Sequence, residues 1–297
     1  MGKSRDKTQS KSQSKLSPAS LKAKIAAEFP ELAFEFRPRV TSTNALLKEQ
    51  ATNIDRDKIL LAAEQTAGRG RLNHAWSSPA NQGLYFSILL SLNIEPEKTP
   101  FVTGIAALSL YKTLRSQGFP VEMKWPNDIL LKGKKVAGIL AEAINSREEN
   151  QEKNKETELQ ETSSTKNQPP KVIVGIGLNT VRTDFPEDLG KKATSLKKYL
   201  LEDRVSFDSG DSEKILLNFL SQFYYQLEKY QQGQEREVVA QWKETLNLLG
   251  RKITIATKDE TITGQVKNVT ERGELILITA RGEEKKYWSG EITIKKG

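Results

Sequence analysis

Hydrophobic positions change period several times along the chain, and each change predicts an element. Leu216, Leu217, Leu220, Phe223, Tyr224 and Leu227 follow the i, i+3, i+4, i+7 spacing of one helix face and predict a helix over Asp211–Gln232. The same periodicity predicts helices over Thr43–Ala51 and Pro100–Gln117. A short amphipathic helix over Leu21–Phe29 is closed by Pro30, and another over Glu237–Leu249 is expected to end at Gly250. Short β-type runs lie at KILLAAE, LYFSILLSL, VEMKWPNDILL, KKVAGILAEAI and KVIVGIGLN. After Gly250 the period falls to two. RKITIA, ETITGQVKNV, GELILIT and EITIKK alternate, separated by the polar turns TKDE, TERG and ARGEE.

The pattern predicts an α+β core with a mixed central β-sheet and helices, followed by a small all-β module, most simply an SH3-like β-barrel. Two stretches carry almost no apolar positions. The first is a Lys/Ser/Gln-rich start, expected to be a disordered basic tail over residues 1–20. The second, residues 145–171, cannot offset its ordering entropy by burial. It reads as an insertion in a loop whose flanking strands pair across it. The expected division is 1–20, 21–249 for the main domain and 250–297 for the C-terminal module.

Charge adds less than its total suggests. The chain has 297 residues and a net charge of +8. Between Met1 and Lys24, seven Lys/Arg stand against one Asp, so the remainder is nearly neutral. A nucleic-acid-binding protein with a basic tail is therefore a rival reading that the core does not favour. The chain contains no cysteine and a single histidine, His74. That excludes disulfides, thiol nucleophiles and clustered His/Cys metal sites. No secretory h-region or membrane-length apolar run is present, so the cytoplasm is the expected location.

Five segments carry candidate chemistry. Gly68-Arg69-Gly70-Arg71 combines close backbone approach with two guanidinium forks suited to phosphate or carboxylate oxygens. It matches neither a Walker loop nor a dinucleotide fingerprint, and alone it equally suits an RNA-binding turn. Lys124-Trp125-Pro126-Asn127-Asp128 places an ammonium, an amide and a carboxylate at the end of an apolar strand, although a charged hairpin turn reads the same way. In Lys135–Glu142, strict alternation points Lys135, Ala137 and Ile139 one way and Val136, Gly138 and Leu140 the other. Gly175-Ile176-Gly177-Leu178-Asn179 suggests close ligand approach at a strand end. Ser42-Thr43-Asn44 reads as a helix N-cap whose small polar groups can also bind a heterocycle.

Together these segments resemble biotin protein ligase, the family that attaches biotin to carboxyl-carrier domains. The resemblance covers about Val40 to Gly297 apart from the insertion. It includes Trp76-Ser77-Ser78-Pro79, Ala193-Thr194-Ser195-Leu196 and Gly290-Glu291-Ile292. It implies a class II synthetase-like core and synthesis of biotinyl-5′-adenylate from biotin and MgATP, followed by transfer to a carrier lysine. On that basis the biotin-binding residues are Ser42, Thr43, Asn44, Gln65, Gly68, Arg69, Gly70, Arg71, Lys135 and Gly138. The ATP-side residues are Arg69, Arg71, Trp76, Lys124, Asn127, Asp128 and Asn179. The catalytic roles fall to Arg71, Lys124, Asp128 and Lys135, with Asp128 nearest to Mg²⁺ carried mainly on the phosphates. The implied partner is a biotin carboxyl carrier protein or domain, with no membrane.

One departure is His74, where the family often has Arg. Only 41 residues precede Ser42. The chain is therefore expected to be the monofunctional form, without a DNA-binding domain or specific DNA binding. A homodimer is compatible with the family. A lipoate-type ligase and a catalytically dead relative are the other enzyme-fold alternatives.

Overall fold

The computed structural model describes residues 16–92, 94, 96–144, 170–202, 205–257, 259–288 and 290–294. Helix α1 (Pro18–Glu28) starts three residues before the periodicity predicts, because Ser17 accepts from the Ser20 backbone N–H and Pro18 opens the first turn. Residues 18–20, expected in the tail, are thus helical, and the rest of that expectation lies mostly outside the described residues. Strand β1 (Ala33–Arg37) has no counterpart in the predicted runs. It is short and half-buried, and takes its place by parallel pairing with β2 (Lys58–Ala62) at the sheet edge.

Among the described residues the main sheet has seven strands in the order β1-β2-β3-β7-β6-β5-β4. Strand β3 (Gly83–Ser91) pairs antiparallel with β2 and with β7 (Lys171–Asn179). Strand β6 (Lys134–Ile144) pairs with β7, ending at Ile144↔Lys171. The strands flanking the polar insertion therefore do pair across it, while residues 145–169 lie outside the described ones. The VEMKWPNDILL run divides into β4 (Val121–Lys124) and β5 (Asp128–Leu131) about a cis Trp125–Pro126 bond.

The sheet buries its faces unequally. Leu84, Phe86, Ile88 and Leu90 of β3 enter the main core beneath α3 (Val102–Ser116) and α6 (Ser209–Gln231). Leu89 joins a small second cluster with Ile173 of β7 and Leu47 of α2 (Thr43–Gln50). That second face, only partly covered by α2, is left to form a cleft. Two short helices follow β7, α4 (Glu187–Gly190) and α5 (Leu196–Glu202).

Helix α7 (Glu235–Leu246) ends earlier than expected. Asn247 adopts a left-handed conformation (φ 49°) and its N–H donates to the Lys243 and Glu244 carbonyls. Asn tolerates this region and ends the helix before Gly250, which serves a later turn. The C-terminal strands β8 (Lys252–Ala256), β9 (Thr261–Val269), β10 (Leu275–Thr279), β11 (Glu284–Tyr287) and β12 (Glu291–Ile294) form one antiparallel sheet ordered β11-β10-β9-β8-β12. Strand β11 begins on the last residue of the ARGEE turn, Glu284, and continues over residues assigned no element. Among the described residues no pairing joins β11 to β12, so the expected barrel takes the form of an open sheet. Ile253, Ile255, Leu275 and Leu277 belong to the same core as α3 and Trp242 of α7.

Candidate active site

The cleft has a volume of about 130 Å³ and lies over β6 and β7, between α2, the GRGR loop and the first residues of β12. Its floor is built from glycines. A Cβ on Gly175 would fall 2.1 Å from Asn44 Oδ1, and one on Gly177 would fall 2.2 Å from Trp76 Nε1. The close approach expected of a ligand is therefore made by the protein's own side chains at these two positions. The Trp76 indole N–H is buried there without a hydrogen-bond partner in the protein.

Strand β6 carries the main correction to the sequence reading. Its pairing with β5 slips between Ile129↔Ala137 and Leu130↔Lys135, leaving Val136 as an extra residue. Val136 and Ala137 both join the core. The bulge changes the phase of the strand. Lys135 and Gly138, placed on opposite faces by strict alternation, share the cleft face, and a Cβ on Gly138 would lie 3.3 Å from Lys135 Nζ.

A polar network holds one side of the cleft. Gln65 Oε1 accepts from Thr43 N at 2.9 Å and Thr43 Oγ1 at 3.1 Å, and Gln65 Nε2 donates to Ser78 Oγ at 2.9 Å. Ser87 Oγ lies 2.6 Å from both Thr43 Oγ1 and Asn44 Oδ1. Asn44 Nδ2 donates to Glu142 Oε2 at 2.6 Å. Ser42 accepts from the Ala45 N–H as the N-cap of α2, so the capping and cleft-lining readings of this segment both hold.

The opposite side is cationic. Lys135 Nζ lies 2.7 Å from Asp128 Oδ1 and 5.4 Å from the Trp76 ring centre. Arg71 Nη1 donates to Asn127 Oδ1 at 3.1 Å. Burial pulls the Arg71 pKa below its usual value, and the nearby Asp128 charge opposes that shift. Asn127 is fixed by two bonds with Ile139, giving its side-chain N–H to the carbonyl and taking the Ile139 N–H on its own carbonyl. Lys124 also lines the cleft. Beneath them, Trp125 Nε1 donates to Gly273 O at 3.0 Å, tying the KWPND turn to the C-terminal sheet.

The GRGR loop folds over the cleft as a hairpin. Trp76 N donates to Gly68 O at 2.8 Å, and Gly70 N donates to His74 O at 2.7 Å. Leu72 at its tip has φ 53°. Gly68 serves this hairpin and does not line the cleft, since a Cβ there would meet Trp76 O at 2.4 Å. Arg69 Nη2 lies 3.6 Å from Glu142 Oε1. The buried Arg182 donates to Ser77 Oγ at 3.0 Å, pinning the segment that follows. His74, on the loop, lies 4.0 Å from Glu291 Oε1, and both side chains are about 70% exposed (70% and 73%). Asn179 stands outside the cleft lining, donating to Thr194 O at 3.1 Å, with its Oδ1 buried and unpartnered.

The remaining predicted residues, Ser42, Thr43, Asn44, Gln65, Arg69, Gly70, Arg71, Trp76, Lys124, Asn127, Asp128, Lys135 and Gly138, line one cleft. Sequence reasoning passed over Ser87, and quoted Glu142, Gly290 and Glu291 within the resemblance without giving them a place in the site. Ser87 left one signal, a lone hydroxyl inside an apolar strand. The cleft offers Arg69, Arg71, Lys124 and Lys135 against Asp128 and the rim carboxylate Glu291. Such an arrangement suits an anionic ligand with a polar ring and can stabilise charge developing on phosphate or carboxylate oxygens. Among the described residues, no group of three or more His, Cys, Asp or Glu forms a metal-holding cluster.

Residues 36–152 match the family described as the biotin/lipoate A/B protein ligase family, and residues 248–295 match the biotin protein ligase C-terminal domain. The bifunctional ligase/repressor BirA of Bacillus spizizenii is 28% identical over 284 residues, 94% of this chain and 79% of that protein. The biotin–[acetyl-CoA-carboxylase] ligase of Mycobacterium tuberculosis is 35% identical over 167 residues, 52% of this chain and 51% of that protein. The structure of the Aquifex aeolicus biotin protein ligase in complex with biotin and ATP superposes with a TM-score of 0.66. Its sequence is 28% identical, and the match covers 89% of this chain and 99% of that one.

Proposed function

The chain belongs to the biotin protein ligase family, and from that premise we propose that it joins biotin to a lysine of a biotin carboxyl carrier domain in two steps. In the first, a biotin carboxylate oxygen attacks the α-phosphorus of MgATP, forming biotinyl-5′-adenylate and releasing pyrophosphate. In the second, the carrier's neutral lysine amine attacks the acyl carbonyl, an amide forms, and AMP leaves. The observation that carries this reading is the meeting, in one cleft, of the Thr43–Asn44–Gln65 network with the cations Arg71, Lys124 and Lys135. A polar ring and two anions can be held together there.

The roles follow from position. Ser42, Thr43, Asn44 and Gln65 hold the ureido ring, and the backbone of Arg69 and Gly70 covers it. Lys135 binds the biotin carboxylate and then the mixed anhydride. Its ion pair with Asp128 aims the ammonium across the cleft. Arg71 and Lys124 neutralise the α-phosphate, and Asn127 orients Arg71. Trp76 faces the adenine, with Asn179 at the nucleotide end. Asp128 can take the proton of the incoming lysine. The donor set fits Mg²⁺ delivered as MgATP and held by the phosphates, because the floor of the cleft offers one carboxylate already paired with Lys135. No covalent enzyme intermediate is required.

Among the described residues, no helix is long and apolar enough to cross a membrane. The proposal places the enzyme in the cytoplasm as three parts: the basic tail, the catalytic domain of residues 21–249 and the C-terminal module of 250–297. Specific DNA binding is left out of it, although some relatives carry the name ligase/repressor. In α1, Leu21 and Ile25 are buried in the main core, which supports a structural use of that helix.

The test is the intact mass of a carrier domain after incubation with the protein, biotin and MgATP. A gain of one biotin that requires ATP is the expected result. Adenylate and pyrophosphate without a mass gain would retain the chemistry and reject the carrier. Formation of lipoyl-adenylate in preference to biotinyl-adenylate would overturn the substrate.

A further inference from the structure

Glu142 sits on the cleft face of β6, beyond every residue to which the sequence reading gave a role. Its two oxygens are divided between two regions. Oε2 accepts from Asn44 Nδ2 at 2.6 Å, and Oε1 lies 3.6 Å from Arg69 Nη2 on the hairpin above. Asn44 is 4% exposed, and its other end faces Ser87 Oγ at 2.6 Å. A side-chain amide can sit either way round, and an ionised carboxylate only accepts. Glu142 therefore requires the Asn44 NH₂ to face it. Asn44 Oδ1 is then left to accept the single Ser87 hydroxyl proton, while Gln65 at the far end of the hairpin is held by the Thr43 backbone N–H on its Oε1 and by Ser78 Oγ at its Nε2. The network begins and ends at the covering loop.

We propose that Glu142 is a positioning residue that couples the binding floor to loop closure. One carboxylate orients Asn44 for the polar ring of the acid substrate and anchors Arg69 when the hairpin is down. This rests on the ligase reading above. Its consequence is that retention of the acyl-adenylate depends on the charge of Glu142, while orientation of Asn44 depends on an acceptor at that position, which adds to the Leu140 carbonyl 3.4 Å from Asn44 Nδ2. An amide at 142 supplies the acceptor without the charge, and alanine supplies neither.

The experiment compares wild type, Glu142→Gln and Glu142→Ala as full chains with biotin and MgATP. The readouts are KM for biotin, kcat for adenylate formation, the fraction of adenylate released to solution, and Tm. A half-exposed ion pair corresponds to about threefold in an equilibrium, and a hydrogen bond to a charged group to roughly tenfold or more. Glu142→Gln is expected to release about threefold more adenylate with biotin KM nearly unchanged, and Glu142→Ala to raise biotin KM about tenfold as well. Arg69→Gln combined with Glu142→Gln is expected to leak no more than either alone, since both cut the same link.

Hydrogen exchange without any ligand supplies a second reading. The Gly70 and Trp76 amides, bonded within the hairpin, should exchange faster in Glu142→Gln. A variant that loses Tm while keeping wild-type leakage and loop exchange would make Glu142 merely structural and overturn the proposal. An active wild type with unchanged variants overturns the coupling alone. A wild type that forms no biotinyl-adenylate overturns the ligase reading and the coupling with it.

Discussion

The floor of the cleft is sheet, and its cover is a hairpin loop. Strands β3, β7 and β6 run beneath the cleft with continuous pairing, and Ser87 of β3 with Thr43 and Asn44 of α2 are 0%, 3% and 4% exposed. The hairpin closes through backbone bonds from Trp76 N to Gly68 O, Gly70 N to His74 O and His74 N to Arg71 O, and its tip Leu72 is 38% exposed with φ 53°. Floor positions are set by close packing and resist small changes of volume. Cover positions are set by a few polar contacts near water, each of modest worth. Changes to the floor should therefore alter binding and chemistry, and changes to the cover should alter retention of the intermediate.

The largest expected effect tests the floor. Lys135→Ala should lower adenylate formation by roughly 10²- to 10³-fold, the scale of one preorganised charge-stabilising donor. Single-turnover pyrophosphate release measures it, and a near-wild-type rate would remove Lys135 from the chemistry. Gly177→Ala should follow. Its Cβ would lie 2.2 Å from Trp76 Nε1, so the indole must move, at about 1–3 kcal/mol for overpacking. The KM for ATP should rise while the loop stays folded, and an unaltered KM would show that Trp76 has room to yield.

Arg71→Gly, on the cover, should keep measurable synthesis yet release about tenfold more adenylate, in line with the loss of a charge-assisted contact. Wild-type retention by that variant would break the distinction between floor and cover. The smallest effect belongs to His74→Ala. With 70% of its side chain exposed, it should change stability by less than about 0.5 kcal/mol, measurable by denaturant unfolding, and leave retention unchanged. A clear rise in leakage would extend the cover to Glu291 and the C-terminal sheet.

Legibility in the sequence follows the same division. Long helices and central strands were readable, α6 by its helical period and β3 by an apolar run buried at nearly every position. The edge strand β1 was not, since the alternation of Phe34 and Phe36 with Glu35 and Arg37 spans only five residues between Pro30 and Pro38. Most cleft residues were legible only through the resemblance carried by the five segments together, since GRGR and KWPND each had another reading alone. The shared face of Lys135 and Gly138 was hidden by the bulge at Val136, a register shift that side-chain pattern does not record. Ser87 and Glu142 were hidden for the opposite reason. A single hydroxyl in an apolar run and a carboxylate at the far end of a strand gain meaning only once α2 is docked over them. Gly290 and Glu291 reach the cleft by tertiary contact alone, far along the chain from the other lining residues.

The bond from Trp125 to Gly273 bears on the order in which a working enzyme can appear during synthesis. The KWPND turn is translated long before the turn between β9 and β10 that receives its indole N–H. Strand β12, which brings Glu291 to the cleft, emerges later still. Contacts of such sequence separation form slowly, after the chain between them has been ordered. A nascent chain halted within the C-terminal sheet would hold the cationic turn without its support and the cleft without its rim. Catalytic competence should thus arrive with the final strand, and a ribosome-stalled series of increasing length would locate the residue at which it does.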